Sequence, residues 1–270
     1  MTDTTAVIAC FNYGPYLSEA VSSLLEQEPQ PPRVMVVDDG STDPETHAVL
    51  DRLPKRVEVL RLENAGVANA RNAGLARADT PLVLVLDADD RLAPGALAVL
   101  HSALDEHPRA GFAYGDQRFF GSWTGSIRFP PYDPLRLLDR HLIGPTALMR
   151  AELIRDTGGY DPAFALYEDW ELWLDALAHG WHGVHVDAFT HEYRQHGTSK
   201  LSTDRRRYRS FRRQAMAKHR SLYASRSELA RSSDLTALQR AVYRWFWGPR
   251  PLPAAVEARA ARVLLSGSSG

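Results

Sequence analysis

The stretch "VLVLDADDRL", residues 83–92, places an apolar run directly before three aspartates, Asp87, Asp89 and Asp90. The apolar part is typical of a buried β-strand, and the aspartates follow at the point where that strand ends. Like charges a few ångströms apart repel each other, more strongly where water is partly excluded. The stretch therefore predicts a strand whose end faces a positively charged partner.

Comparable apolar runs recur through the first half of the chain. We expect strands at residues 6–10, 33–37, 57–62 and 81–86, and helices over residues 16–27, over 66–78 and from residue 94 onwards. Strands with almost no polar interruption that alternate with helices are typical of a parallel sheet covered on both faces. The pattern thus predicts an α/β fold with a mostly parallel, Rossmann-like sheet flanked by helices. The less regular residues 110–200 are expected to extend that sheet.

Charge is divided unevenly along the chain. Residues 1–200 contain 17 Lys and Arg against 29 Asp and Glu, whereas residues 201–270 contain 15 against 4. We expect two parts, a body over residues 1–202 and a basic helical C-terminal extension over residues 203–270. The extension either packs on the acidic body or lies on an anionic membrane surface. Nucleic acid is not expected as a partner, because no known nucleic-acid-binding module is present and the body would repel phosphates.

Targeting signals are not recognisable in the sequence. No apolar stretch approaches the roughly 20 residues needed to cross a bilayer, and the first residues lack the pattern of a secretory signal. The single cysteine, Cys10, cannot form an internal disulfide and is expected to be buried at the end of a strand. These features predict a cytoplasmic protein, either free or peripheral at the inner face of the membrane.

Three polar clusters follow predicted strands: "FNYG" (11–14), "DDGSTD" (38–43) and "DADD" (87–90). The carboxyl ends of parallel strands meet at one edge of the sheet, where α/β proteins bind ligands. Carboxylates cannot bind a phosphate directly, whereas a hard cation, Mg²⁺ or Mn²⁺, can bridge them to a diphosphate. The clusters therefore predict a nucleotide site with a divalent metal. For "DADD" taken alone, an acidic turn at the N-terminus of a helix is the alternative.

Taken together, six segments resemble the family 2 glycosyltransferases of the GT-A fold. In chain order they are "FNYGPYLSEAVSSLLEQ" (11–27), "VVDDGSTD" (36–43), "NAGVANARNAGL" (64–75), "LVLDADD" (84–90), "GGYDPAFALYEDWELWLDALAHG" (158–180) and "YRQHGTSKLS" (193–202). The resemblance covers roughly residues 5–202. It implies a GT-A nucleotide-sugar-binding and catalytic domain, followed by the helical extension.

The resemblance assigns the metal to the "DADD" turn. Asp87 and Asp89 would form the metal-binding DxD motif, with Asp90 as a further ligand or support. His196 would add a metal or diphosphate contact. The four other histidines of residues 179–196 are expected to have structural or surface roles: His179, His182, His185 and His191.

The donor nucleotide is assigned in the same way. Asp39 would contact the base, Asp38 would support it, and Arg71 would approach the base and the phosphates. Four further residues complete the predicted donor site: Ala9, Phe11, Asn12 and Ala88. The family usually has Thr or Ser at the end of the first strand, so this chain, with Ala9 and Phe11 there, lacks the hydroxyl groups that the family pattern provides. Base recognition at this point is therefore expected to rely on backbone contacts or stacking.

The acidic pair "ED" supplies the predicted catalytic groups. The resemblance makes Asp169 the general base, with Glu168 beside it. Chemistry favours this role independently, because an acceptor hydroxyl has a pKa far above 7 and gains from a carboxylate that takes its proton. The local sequence alone fits equally well with two acids that stabilise a helix N-terminus.

These assignments predict an inverting, metal-dependent glycosyltransferase. The expected donor is a UDP-sugar, and the expected acceptor is a hydroxyl group of a glycan or of a lipid-linked molecule in polysaccharide, glycolipid or other glycoconjugate synthesis. Three other classes stay open: an inactive nucleotide- or glycan-binding protein, a sugar-1-phosphate nucleotidyltransferase and a phosphoreceiver domain. The nucleotidyltransferase requires a Gly-rich N-terminal loop with basic residues, which "ACFNYGPYL" lacks. A phosphoreceiver domain does not account for Asp169.

Overall fold

The computed structural model describes residues 3–28, 32–196 and 205–246. The strands are β1 (Thr4–Cys10), β2 (Arg33–Asp38), β3 (Val57–Arg61), β4 (Leu82–Asp87), β5 (Arg91–Leu92), β6 (Phe112–Gly121), β7 (Gly125–Ile127), β8 (Leu148–Arg150) and β9 (Gly183–Gln195). The helices of the body are α1 (Gly14–Leu25), α2 (Pro44–Leu50), α3 (Val67–Leu75), α4 (Ala96–Glu106), α5 (Pro134–Leu137), α6 (Ala151–Thr157) and α7 (Glu168–Ala178). Those of the extension are α8 (Arg205–Lys218), α9 (Arg220–Ala224), α10 (Arg226–Ser232) and α11 (Ala237–Phe246). Among the described residues, no helix combines the length and apolar character that crossing a membrane requires.

All nine strands belong to one sheet, in the order β3-β2-β1-β4-β8-β6-β9-β5, with β7 paired to β6. The first four strands in this order are parallel, as the sequence predicts. The second half is mixed, because β8 runs antiparallel to both of its neighbours while β6 and β9 are parallel to each other. The expected extension of the sheet by residues 110–200 is thus formed mainly by the long β6–β9 pair.

Burial on both faces explains why the first strands are uniformly apolar. Val7 points into one hydrophobic cluster, whereas Ala6 and Ile8 point into the other. Helix α3 lies close against the sheet at Gly74, where a Cβ atom would come within 2.4 Å of Val7 Cγ1. The glycine inside this predicted helix therefore permits the close packing that sets the position of α3.

Helix α2 is not among the predicted helices, and the start of α4 differs from the predicted one. Helix α2 follows the "DDGST" stretch and is too short and polar to show a helical period of apolar residues. Asp43 fixes its start, because the Asp43 carboxylate accepts hydrogen bonds from the N–H groups of Glu45 and Thr46. Helix α4 begins at Ala96 rather than at Pro94, because Gly95 adopts a left-handed conformation with φ of 73°.

The described part of the extension packs on the body. Phe211 of α8 is buried and stacks on Trp170 of α7 at a centroid distance of 4.5 Å. The buried carboxylate of Asp139 accepts a hydrogen bond of 2.5 Å from Arg212 and contacts Arg226. Buried Asp139 would be costly without these cations, so the charge division of the sequence corresponds here to direct pairing. The predicted boundary at residues 202 and 203 falls outside the described residues.

Candidate active site

The carboxyl ends of β1, β2 and β4 bring the predicted donor residues to one edge of the sheet. Ala9 pairs with Asp87 across β1 and β4, and the carboxylate of Asp38 accepts a hydrogen bond of 2.9 Å from the Ser41 N–H group. Phe11 is 42 % exposed, which leaves its ring available for stacking. Ala88 is buried within the turn that follows β4.

Asn12 joins the loop after β1 to the loop after β2. It adopts a left-handed conformation with φ of 57°, which asparagine tolerates better than most residues. Its Oδ1 accepts hydrogen bonds from the N–H groups of Thr42 (2.8 Å) and Asp43 (2.9 Å). Asn12 therefore fixes the shape of the "DDGSTD" loop.

Asp39 holds the loop that precedes α3. Its two carboxylate oxygens accept hydrogen bonds from the N–H groups of Ala65 (2.8 Å) and Gly66 (2.9 Å), and its side chain is buried. Gly40 beside it has φ of 70°, and a Cβ atom there would lie 2.6 Å from Asn64 N. The second aspartate of the motif is thus tied to the neighbouring loop. Its Oδ2 also accepts a hydrogen bond of 3.4 Å from Asn64 Nδ2, whereas Oδ1 keeps a lone pair for a further donor.

Arg71 is the centre of the charged site. Its guanidinium is 3 % exposed and donates to Asp87 Oδ1 at 2.6 Å and to Glu168 Oε1 at 2.9 Å. It also lies 5.0 Å from the centroid of the Tyr160 ring. Burial lowers the pKa of Arg71, but the charges of Asp87 and Glu168 outweigh this effect and raise it above its usual value. Arg71 therefore links the predicted metal motif to the predicted catalytic pair.

The three aspartates of "DADD" have different surroundings. Asp87 and Asp89 are partly exposed, whereas Asp90 is 1 % exposed. The carboxylate of Asp90 lies 2.8 Å from His191 Nε2 and accepts a hydrogen bond from the Arg194 N–H group. Asp90 is consequently held inside the protein, and Asp87 and Asp89 are the carboxylates that the site exposes.

The aspartates also affect one another electrostatically. Burial and the neighbouring charge of Asp87 raise the pKa of Asp89, and burial raises the pKa of Asp90 to about 6 although His191 acts in the opposite direction. His196 Nε2 lies 2.8 Å from Asp89 Oδ2, and its ring stacks on Tyr16 at 5.3 Å. Two exposed carboxylates with hard oxygen atoms and an adjacent imidazole match the ligands that Mg²⁺ or Mn²⁺ accepts.

The acidic pair opens α7, as the sequence predicts. Tyr167 before it has φ of 61°, which turns the chain sharply into the helix. Asp169 Oδ2 lies 2.9 Å from His141 Nε2. Burial raises the pKa of Asp169, but His141, Arg71 and the Trp170 N–H group together outweigh burial and leave the pKa below its usual value. In Glu168 burial dominates over Arg71, so its pKa is raised.

The sequence predicts no catalytic or binding role for two histidines that lie at the site. His191 is expected to be structural, and it supports Asp90 from a position 101 residues away in the chain. His141 lies between α5 and β8, in a segment that contains none of the six motifs. A buried carboxylate needs a cation or several donors, so "DADD" and "ED" imply such partners without identifying them.

A second acidic cluster lies further along α7. Ligand atoms of Glu171, Asp175 and His219 lie within 4.8 Å of one another, which is close enough to hold a cation. Lys218 Nζ lies 2.7 Å from Glu171 Oε1 and already supplies a positive charge there. This cluster joins the extension to α7 and is separate from the "DADD" turn.

Comparison with known proteins identifies the family. The model of glycosyl transferase family 2 matches residues 5–169, more than half of the chain. The chain belongs to glycosyl transferase family 2. This confirms the resemblance seen in the sequence, and the family supports the expected enzyme class.

Several curated proteins align with the body of this family member. The succinoglycan biosynthesis protein ExoU of Rhizobium meliloti (strain 1021) is 34 % identical over 201 residues, which are 66 % of this chain and 58 % of ExoU. The UDP-Gal:alpha-D-GlcNAc-diphosphoundecaprenol beta-1,3-galactosyltransferase of Escherichia coli is 27 % identical over 189 residues, 63 % of this chain and 66 % of that protein. The chain thus spans less than two thirds of the length of these relatives.

The fold is shared with solved structures. The crystal structure of S. aureus TarS 1–349 in complex with UDP has a TM-score of 0.64 and 19 % sequence identity, and the alignment covers 90 % of this chain and 69 % of that one. At this identity the likeness concerns the fold alone. It confirms the GT-A architecture expected from the sequence.

Proposed function

We propose that the protein is a metal-dependent, inverting glycosyltransferase that moves a sugar from a nucleotide-diphosphate donor, a UDP-sugar, to a hydroxyl acceptor. One observation carries the proposal: Arg71 joins Asp87 of the "DADD" turn to Glu168 at the start of α7, at 2.6 and 2.9 Å. This contact joins the predicted metal motif to Glu168, the neighbour of the predicted base Asp169, although the two segments are about 80 residues apart in the sequence.

The donor side is proposed around the three loops at the sheet edge. Asp87 and Asp89 would hold Mn²⁺ or Mg²⁺, with His196 adjacent, and the bound metal would stabilise the charge of the departing diphosphate. Asp39 and the exposed ring of Phe11 would meet the nucleoside, and Asp90 would support the turn from inside. The choice of a UDP-sugar is supported by the TarS structure in complex with UDP and by the donor in the name of the E. coli relative.

In the proposed reaction Asp169 is the general base. The acceptor oxygen attacks the anomeric carbon and forms the new glycosidic bond, and the bond from that carbon to the diphosphate oxygen breaks with its electron pair on the diphosphate. The Asp169 carboxylate takes the proton of the acceptor hydroxyl. Attack from the side opposite the diphosphate inverts the anomeric configuration.

The acceptor is proposed to be a glycan or a lipid-linked saccharide. Relatives named for succinoglycan biosynthesis and for a diphosphoundecaprenol-linked acceptor support this class. A reaction on a lipid-linked acceptor would place the protein in the cytoplasm at the inner face of the membrane.

The test is a turnover assay with UDP-glucose, UDP-galactose, UDP-N-acetylglucosamine and matched GDP- and dTDP-sugars. Release of the nucleoside diphosphate is measured with Mn²⁺, with Mg²⁺ and with EDTA. We expect a UDP-sugar to give the highest rate, dependence on the metal, and loss of turnover in Asp169→Asn with donor binding retained. Donor binding without turnover in the native chain would favour an inactive nucleotide-binding protein.

A further inference from the structure

A histidine from a distant segment contacts the proposed general base. His141 Nε2 lies 2.9 Å from Asp169 Oδ2, and this nitrogen is shielded from solvent. The imidazole ring stacks almost parallel on Trp170, at 6.0 Å and 12°, and meets the Tyr167 ring edge-on. The ring is thus held on two sides, and its orientation toward Asp169 is fixed by packing.

The other carboxylate oxygen of Asp169 has a hydrogen-bond partner within the protein. Oδ1 accepts a hydrogen bond of 2.8 Å from the Trp170 N–H group. The carboxylate is therefore hydrogen-bonded at Oδ1 by the backbone and ion-paired at Oδ2 with His141, whose Nε2 is close enough for the charges to interact but is not aligned for a hydrogen bond. Such double anchoring fixes the direction in which Asp169 accepts a proton, which is the positional precision that proton transfer requires.

Burial makes the charge of His141 as important as its position. A buried carboxylate without a cation tends to become protonated, and a protonated Asp169 cannot act as a base. Burial lowers the pKa of His141, but the charge of Asp169, the charge of Glu168 and a hydrogen bond with the Ile143 backbone raise it above its usual value. The two shifts together favour an imidazolium–carboxylate pair at neutral pH.

We propose that His141 is a positioning residue that orients the Asp169 carboxylate and supplies the positive charge that keeps it ionised. The inference rests on the proposed role of Asp169 as general base. During transfer the acceptor proton moves to Asp169 and from there to solvent, and His141 keeps its own protons throughout. His141 does not touch substrate in this scheme.

The C-terminal extension supports the same arrangement. Trp170, on which His141 stacks, is also stacked by Phe211 at 4.5 Å and by Tyr208 at 5.6 Å, and its Nε1 donates to the Leu137 carbonyl. A continuous set of aromatic contacts therefore runs from α8 through Trp170 to His141. The position of the pair depends on this packing.

Other titratable groups face the pair and contribute to its pH dependence. They come from α3, from the loop before α7 and from the start of α7: Arg71, Tyr160, Tyr167 and Glu168. His141 Nε2 itself lies against Asp169 Oδ2. Because these four groups are the same in the native protein and in the variants, a change in the His141 pKa or in the pH profile of kcat reports on the His141–Asp169 pair.

The first test needs no substrate. The full chain is labelled with ¹³C,¹⁵N-histidine, and the pKa of His141 is followed by NMR in the native protein and in Asp169→Asn. We expect the pKa of His141 to be above the usual value of about 6.5 and to fall when the carboxylate is removed, because burial then acts alone. The same pKa in both proteins would overturn the inference.

The second test uses His141→Phe, which keeps an aromatic ring against Trp170 but removes the charge. The assay is UDP release from the UDP-sugar with the highest native rate. We expect kcat to fall about 10- to 100-fold with a KM for the donor within about twofold of the native value, because His141 does not contact the donor residues. The acidic limb of the kcat profile should move to higher pH, since the loss of the His141 charge leaves only Arg71 and the Trp170 N–H group to oppose the effect of burial on the pKa of Asp169.

The controls separate the inference from the proposed function. His179→Phe, which changes a half-exposed histidine at the far end of α7, should leave kcat and the pH profile unchanged. His141→Gln replaces His141→Phe if the latter does not fold, and it should show the same shift of the acidic limb. If Asp169→Asn abolishes turnover while the His141 variants keep the native pH profile, the inference fails alone. If Asp169→Asn retains turnover, the proposed base itself is wrong.

Discussion

Truncation of Phe211 to alanine tests whether the C-terminal extension is part of the cooperative fold. Phe211 is 4 % exposed and contacts the rings of Trp170, Phe164 and Tyr167 at centroid distances of 4.5, 5.5 and 5.3 Å. Removal of a buried phenylalanine side chain typically costs about 3–5 kcal/mol. For a chain of this size each kcal/mol lowers Tm by about 2–4 °C, so we expect a decrease of about 6–20 °C.

The matched control lies on the same helix. Met216 is 38 % exposed, and Met216→Ala should change the free energy of unfolding by less than about 0.5 kcal/mol. Thermal unfolding is followed by circular dichroism in both variants, together with limited proteolysis of the extension. A Tm of Phe211→Ala within about 1 °C of the native value, with faster cleavage of the extension, would refute the reasoning. It would show that the extension unfolds independently of the body.

Three further predictions concern the body. Arg71→Met should lower the free energy of unfolding in urea by about 3 kcal/mol, because it leaves the carboxylates of Asp87 and Glu168 without their cation. The control Arg33→Met removes a partly exposed ion pair and should cost less than about 1 kcal/mol. Cys10 is 1 % exposed, and burial raises its pKa to about 11, so iodoacetamide should label it in urea but not in the folded protein, as read by mass spectrometry. Gly74→Ala should lower the urea midpoint by an amount equivalent to about 1–3 kcal/mol, since the new Cβ atom would meet β1; an unchanged midpoint would show that α3 can shift.

The first half of the fold could be predicted from local sequence because β1, β2 and β4 are buried on both faces and have almost no polar interruption. The edge strand β3 contains Glu58 and is only partly buried, but it too lies where an apolar run occurs. The second half could not be predicted in the same way. The pairing of β6 with β9 joins residues about 70 positions apart, and its register shifts at Asp116 interrupt the simple period of two.

The candidate site shows the same limit. Motif order placed Asp87, Asp89 and Asp169 at the sheet edge and at the start of α7, where the structure also has them. The sequence could not reveal that Asp90 is held by His191 or that Asp169 is held by His141, because these partners come from segments that only the tertiary fold brings near. Burial of a carboxylate requires a partner, but the chemistry does not specify which of ten histidines provides it.

The extension illustrates what charge patterning can and cannot predict. The acidic body and basic tail favoured docking, and Arg212 with Asp139 and Lys218 with Glu171 are pairs of that kind. The membrane-surface interpretation concerns the remaining basic residues of the extension and stays a prediction. Removing residues 203–270 and measuring association with liposomes that contain anionic lipid would test it.

The measurement that tests the proposed metal-dependent donor site most directly is UDP binding by isothermal titration calorimetry, with Mn²⁺ and with EDTA. We expect UDP to bind at least about tenfold more tightly with Mn²⁺, because in the proposed site Asp87 and Asp89 would hold a metal that meets the diphosphate. We also expect Asp89→Asn to remove this difference without unfolding the protein. Equal affinity with Mn²⁺ and EDTA, or a metal effect unchanged in Asp89→Asn, would contradict a donor site built on these two aspartates.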